Sequence, residues 1–321
     1  MDFVRLPRFK RCPNVRPIRI TERDASLLVW VGIHRVLTSV HLRTLLGPGS
    51  HQNLLRRLRL LYDRGLLDRP RSQIDYFHRG GARPMVYTLT PSGERLVRTH
   101  YEVLSDWLGH SHHSPWGRRY LEHALAVSDI LVALFRAGDA LDDEVRLLYE
   151  HQLDILLQPE RRSLAWTVDA GSLGKLPVIP DRVVQLRTFT GEDEAAERVT
   201  CFIEADRGTM PVIRRDGRQT SVLRKLVAYE ASWRKGLLQK RYPTERFRVL
   251  IVTTNPARVE QMVKVCQRLE SGHGLFLFTD HETFAKHPNV YSLLFANGRG
   301  AKDTLLTHGA AVGLPYYMRN T

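Results

Sequence analysis

Apolar residues between positions 20 and 100 recur first at helical spacing, then at strand spacing, then at helical spacing again. Thr21, with Asp24 three residues on, forms a capping-box pattern, and Leu27, Leu28, Val31 and Val36 follow as an apolar stripe. Thr38-Ser39 opens a second, short helix over Val40 to Leu46, which Gly47-Pro48-Gly49 ends. Ser50 begins a third helix, with Leu54, Leu55, Leu58 and Leu61 on one face. Gln52, Asn53, Arg56 and Arg59 occupy the rest of its circumference, with Arg57 beside them. Asp63-Arg64-Gly65 stops it. A hairpin with Arg71, Arg79 and Arg83 near its tip then returns through Met85 to Leu89, and Thr90-Pro91 starts a new helix.

The remaining chain alternates helices and strands. Arg118 to Ala137 predicts an amphipathic helix, in which Glu122 and Asp129, seven apart, share a face. Val145 to Leu148 predicts a strand leading to Tyr149-Glu150, and Val183 to Leu186 forms a β-branched run just after Val178-Ile179-Pro180-Asp181. In the next strand Val199, Cys201 and Ile203 alternate with Thr200, Phe202 and Glu204. Glu204 and Asp206, two apart, are expected on one face, and adjacent strands would bring Asp181 to Glu204. A basic helix over 221–240 follows, with Leu223, Leu226, Val227 and Trp233 as its apolar side. Phe247 to Thr253, the helix begun by Asn255-Pro256, and Leu275 to Phe278 predict a βαβ unit with parallel strands and a right-handed crossover.

Charge sharpens this outline. The net charge of +14 lies almost wholly in residues 1–120, where 21 Lys and Arg face 9 Asp and Glu for a net of +12. Lys10 is the only lysine among those 21, and arginine favours bidentate phosphate and base contacts. A basic arm is expected over 1–19, a nucleic-acid-binding module over 20–108, a His-rich linker over 109–117 and a second domain over 118–321. Residues 121–210 sum to −8 and 211–250 to +8, so an acidic constellation precedes a basic helix. Paired carboxylates suit a hard cation such as Mg²⁺, and cations beside them suit a phosphate. Surface salt bridges would leave the same pattern.

The order of elements over residues 20–100 resembles a winged helix-turn-helix repressor. Pro180-Asp181, then Glu204, Asp206-Arg207-Gly208-Thr209, then Leu223, Lys225-Leu226 and Tyr229 resemble the PD-(D/E)xK nuclease-like superfamily, and within it the replication-relaxation family. His123, Leu125, Val127 and Asp129 match a further run of that family. The resemblance implies an α+β to α/β chain: an N-terminal winged helix followed by a mixed-sheet, restriction-endonuclease-like domain. It implies Mg²⁺ on Asp181 and Glu204, with Lys225 stabilising or orienting and Asp206 and Glu150 assisting. Asp206 stands where the superfamily has lysine, and Lys225 would have to replace it from the following helix.

Three functions follow from these readings. The first is a metal-dependent DNA endonuclease or nickase of a plasmid or mobile element. The second is a DNA-binding replication or transcription regulator whose nuclease-like domain is an assembly scaffold. The third is an RNA-directed protein, against which winged helices favour duplex DNA. The expected partners are double-stranded DNA and either a second copy of the chain or other replication and mobilisation proteins. No run of apolar residues spans a membrane, and Cys12, Cys201 and Cys266 are spaced as reduced thiols, so a cytoplasmic protein is expected. Walker, Rossmann, zinc-protease and nucleophile-elbow patterns do not occur.

Overall fold

A computed structural model describes residues 7–13, 17–74, 83–100, 117–141, 144–154, 164–189, 195–215, 219–242, 244 and 246–306. Arg79, all but the last residue of the expected linker, and Glu192 to Glu194 lie outside that set. The chain divides into two compact units, Met1–Val132 and Ala133–Thr321.

In the first unit, α1 (Glu22–His34), α2 (Ser39–Leu45) and α3 (His51–Asp63) each begin at a side-chain cap: Thr21, Thr38 and Ser50 accept from the backbone N–H three residues on. Leu54, Leu58 and Leu61 of α3 and Leu27, Leu28 and Val31 of α1 are buried. Each such leucine contributes about 1.5–3 kcal/mol by leaving water. Leu55, expected with them, is exposed, because one residue on from Leu54 it is turned about 100° away from the buried leucine row. Gly65 ends α3 at a φ of +74°, where a side chain would strain. Short strands β1 (Leu37–Thr38), β2 (Leu67–Asp68) and β3 (Val86–Leu89) form an antiparallel sheet in the order β1-β3-β2, and α4 (Pro91–His100) follows.

Helix α5 (Arg118–Asp139) begins in the first unit and ends in the second. Leu121 packs with Val36 and Val86, Ser128 Oγ donates to the Val36 carbonyl at 2.8 Å, and Asp129 meets His41 Nε2 at 2.7 Å. Glu122 is given to Arg118 one turn earlier. The Glu122 and Asp129 face therefore serves packing and local ion pairs in the first unit.

The second unit is built on a mixed seven-stranded sheet. Its strands are β4 (Val145–Tyr149), β7 (Arg182–Phe189), β8 (Ala195–Ala205), β9 (Arg246–Thr253), β10 (Phe276–Asp280), β11 (Phe295–Asn297) and β12 (Lys302–Asp303), neighbours in that order. The β9–β10 pair is parallel, as the βαβ pattern predicts, with α9 (Pro256–Cys266) between its strands; β8–β9 is parallel too, and the other pairs are antiparallel. The short helix α6 (Glu150–Asp154) follows β4, and β5 (Trp166–Asp169) pairs with β6 (Lys175–Val178) as a separate hairpin. Helices α7 (Val222–Arg234), α8 (Leu237–Arg241) and α10 (His281–Lys286) complete the chain. Phe202, Val183, Val249 and Ile251 of the sheet bury against Leu226, Tyr229 and Met262 of the helices.

The alternation in β8 does not produce one dry and one wet face. Thr200, Cys201, Phe202, Ile203 and Glu204 are all buried, so both faces of this central strand are covered. Among the described residues no helix is long and apolar enough to cross a membrane.

Candidate functional site

The N-terminal half of α3 exposes Gln52, Asn53 and Arg56 over its buried leucines. Arg56 is held across the helix: its Nε and Nη2 donate to Asn53 Oδ1 at 3.3 and 3.0 Å. A cleft of about 310 Å³ opens beside this turn, lined by Arg23, Ser50, Asn53, Arg56 and Arg57. Arg71 and Arg83, on the hairpin that leads to β3, are exposed as well.

Arg57 and Arg59, expected on the same face, are committed elsewhere. Arg57 pairs with both oxygens of buried Asp24 in α1 and donates to the Arg19 carbonyl at 3.0 Å. Burial works to raise the Asp24 pKa, but Arg57 and the Thr21 capping bonds together hold it below the usual value. Arg59 pairs with Asp63 at 2.7 Å and donates to the Lys10 carbonyl at 2.9 Å. That carbonyl belongs to the basic arm, which docks rather than hanging free over its described residues 7–13. Arg11 donates to the Leu67 carbonyl and to Asp68 Oδ1, each at 3.0 Å, and stacks over Tyr62, 4.2 Å from the ring centre.

The second centre forms where β7, β8 and α7 meet. Asp181 immediately precedes β7, and its Oδ2 accepts from the Ala205 N–H at 2.8 Å, which seats it at the end of β8 beside Glu204. Glu204 is 2 % exposed. Lys225 and Tyr229, one turn apart on α7, reach it together. The Lys225 ammonium donates to Glu204 Oε2 at 2.5 Å, and the Tyr229 hydroxyl donates to Oε1 at 2.7 Å. Burial pushes the Glu204 carboxyl up to about 7; Lys225 opposes the rise and Asp181 adds to it. For Lys225, burial disfavours the charge, but Glu204, Asp181 and Asp206 outweigh it and hold the pKa above the usual lysine value.

Asp206 and Glu150 are engaged by other partners. Asp206 lies past the end of β8, where Arg258 of α9 grips it with bonds of 2.6 and 3.0 Å. Thr253 Oγ1 and the Gly208 N–H add bonds of 2.5 and 3.2 Å, and against the effect of burial these donors hold the Asp206 pKa low. Glu150 opens α6 with both oxygens on Arg182, at 2.6 and 2.7 Å, and accepts from the Val183 N–H at 2.8 Å. Both members of that pair are interior.

A family model described as replication-relaxation matches residues 28–245, about two thirds of the chain. The chain belongs to the replication-relaxation family. No curated protein and no solved structure matches it. In this replication-relaxation protein the matched span contains the exposed α3 face and the whole Asp181–Glu204–Lys225–Tyr229 cluster.

Mg²⁺ asks for oxygen ligands at about 2.1 Å in near-octahedral order, usually one or two carboxylates with several waters kept. The donor set here does not fit that demand. Glu204 is buried, and each of its oxygens already holds a strong donor, one of them a cation. Asp206 and Glu150 are paired with arginines, and among the described residues no group of three or more His, Cys, Asp or Glu side chains is arranged to hold a metal. Sequence reasoning missed Arg182, Thr253 and Arg258 as the residues that take these acids. Tyr229 carried a usable signal, since it lies four residues after Lys225 on one helix.

Proposed function

We propose that this replication-relaxation protein is a duplex-DNA-binding factor for plasmid or mobile-element replication, gripping DNA with a winged helix-turn-helix over residues 20–100. The observation that carries the reading is the α3 face, where Gln52, Asn53 and Arg56 are exposed above a leucine core. A helix of this kind enters the major groove by its N-terminal residues, where arginine pairs with guanine and Asn or Gln with adenine. On the same reading, the exposed Arg71 and Arg83 on the hairpin meet the adjacent backbone, where cations supply affinity without sequence preference. In this reading Arg57 and Arg59 act indirectly, by docking α3 onto α1 and onto the arm.

The C-terminal unit is a nuclease-like scaffold rather than a nuclease. Supporting this, Asp206 stands in the lysine place of the superfamily pattern and is given to Arg258, while Glu204 is closed by Lys225 and Tyr229. The test is a salt-titrated binding assay on duplex DNA, run beside supercoiled plasmid with Mg²⁺, with Mn²⁺ and with EDTA. Binding that weakens with salt and leaves the plasmid intact is the expected result. Metal-dependent nicking that Asp181→Ala and Glu204→Ala both abolish would overturn the scaffold reading. Absence of binding at low salt would overturn the winged-helix reading.

A further inference from the structure

We infer that the Lys225 ammonium occupies the seat of a divalent cation between Glu204 and Asp181, so that this carboxylate centre takes up Mg²⁺ or Mn²⁺ only when that lysine is removed. The inference stands on the second unit alone and is independent of DNA binding by the first. Three features carry it.

The first is position. Lys225 Nζ lies 2.5 Å from Glu204 Oε2, and the charges of Asp181 and Asp206 also act on it. A cation brought to the same oxygens would stand within a few Å of the ammonium, and like charges at that range in a poorly hydrated site repel strongly. The second is closure. Tyr229 covers Glu204 Oε1 at 2.7 Å, and its ring is locked among Trp166, Phe202 and the helix core, so the carboxylate cannot turn a bare oxygen to solvent. The third is the asymmetry between the two donors. Tyr229 is fully buried, whereas the Lys225 side chain is 35 % exposed. The lysine is therefore the donor whose removal opens a path for water and a hydrated ion to Glu204 while leaving the packing of α7 intact.

The deletion should convert a self-neutralised acid pair into a cation site. Without Lys225, Glu204 and Asp181 keep their mutual repulsion and lose the charge that offsets it. A proton or an external cation is then the available counter-charge, and rising pH favours the cation.

The experiment uses the full chain and is run as a series up to pH 9, because the Glu204 carboxyl is already pushed up to about 7 by burial with Lys225 beside it, and loss of that charge raises it further. Mn²⁺ is titrated while its free-ion electron paramagnetic resonance signal is followed, and melting is recorded with Mg²⁺, with Mn²⁺ and with EDTA. Wild type is expected to show no saturable uptake and the same melting temperature in all three. Lys225→Met and Lys225→Ala are expected to bind one Mn²⁺ saturably and to melt higher with metal than with EDTA. Adding Glu204→Gln to Lys225→Met should abolish that gain. Lys225→Met keeps most of the side-chain bulk and serves if the alanine variant unfolds, and the wild-type titration needs no variant. The inference is overturned if wild type takes up one Mn²⁺ that Asp181→Asn or Glu204→Gln removes. It is equally overturned if a folded Lys225→Met takes up none.

Discussion

Replacing Glu150 by glutamine separates a structural acid from a catalytic one. The carboxylate and its partner Arg182 are 2 % and 3 % exposed, and the acid accepts three bonds of 2.6, 2.7 and 2.8 Å. Glutamine keeps the shape but loses the charge and turns an amide N–H₂ toward a guanidinium that has nowhere to go. Removing one partner of a buried pair costs about 3–5 kcal/mol, because the other charge stays buried without compensation. For a unit of this size each kcal/mol moves the melting temperature by about 2–4 °C, so Glu150→Gln should melt roughly 6–20 °C lower. Glu150→Leu combined with Arg182→Met should recover most of the loss, since an apolar pair of similar volume is often as stable as a buried ion pair.

The acid limb provides a second readout of the same pair. Burial works to raise the Glu150 pKa, but the Arg182 charge, its hydrogen bonds and the Val183 N–H prevail and hold it below the ordinary 4.5. A depressed carboxyl stabilises the fold fully above its unfolded pKa and loses that contribution as pH falls through the folded one. Wild type should therefore lose stability below pH 4.5 more steeply than Glu150→Gln. Calorimetric or circular-dichroism melts across pH check both statements. A glutamine variant that melts within about 1 °C of wild type would refute the account, as would selective loss of DNA cleavage with the melt unchanged.

Other perturbations separate the remaining roles. Arg56→Ala should weaken specific DNA binding by about 1–3 kcal/mol and leave the melt unchanged, whereas Arg57→Ala, which strands buried Asp24, should lower the melting temperature of the first unit; DNA titrations and melts on both variants check this, and the reverse pattern would refute the assignment. Glu204, with its pKa raised from 4.5 to about 7, contributes stability that is complete below pH 4.5 and declines as pH rises through about 7. Glu204→Gln should flatten that decline, and a pH-melt series in which both proteins slope alike would count against it. Gly93→Ala should be strongly destabilising, because a Cβ there would collide with the Leu66 carbonyl oxygen, a backbone atom; a melt equal to wild type would mean that the segment before β2 or the first turn of α4 yields.

Much of the fold was legible in the chain itself. Capping residues with leucines at helical spacing marked α1, α2 and α3, and alternating or unbroken apolar runs marked β7, β8, β9 and β10. The helical spacing of Leu54, Leu58 and Leu61 also set Gln52, Asn53 and Arg56 on the outward side of α3. Such signals are local: a helix repeats every 3.6 residues and a strand every two, so one turn or a few residues suffice to declare them.

Pairing was decided only by the tertiary structure. Asp206 reaches Arg258 across 52 residues, Glu150 reaches Arg182 across 32, and Arg57 reaches Asp24 across 33. From composition and spacing alone, each of these charges was as good a ligand, nucleic-acid contact or catalyst as its neighbours. Sheet order and register chose among them. Arg182 opposite Ile203 sets Asp181 beside Glu204, and the parallel β8–β9 pairing, followed directly by α9, delivers Thr253 and Arg258 to Asp206. An acid brought into the interior must be matched by a donor or a cation. Which cation is nearest depends on how the strands are stacked, and that order is not written in any short stretch of the chain.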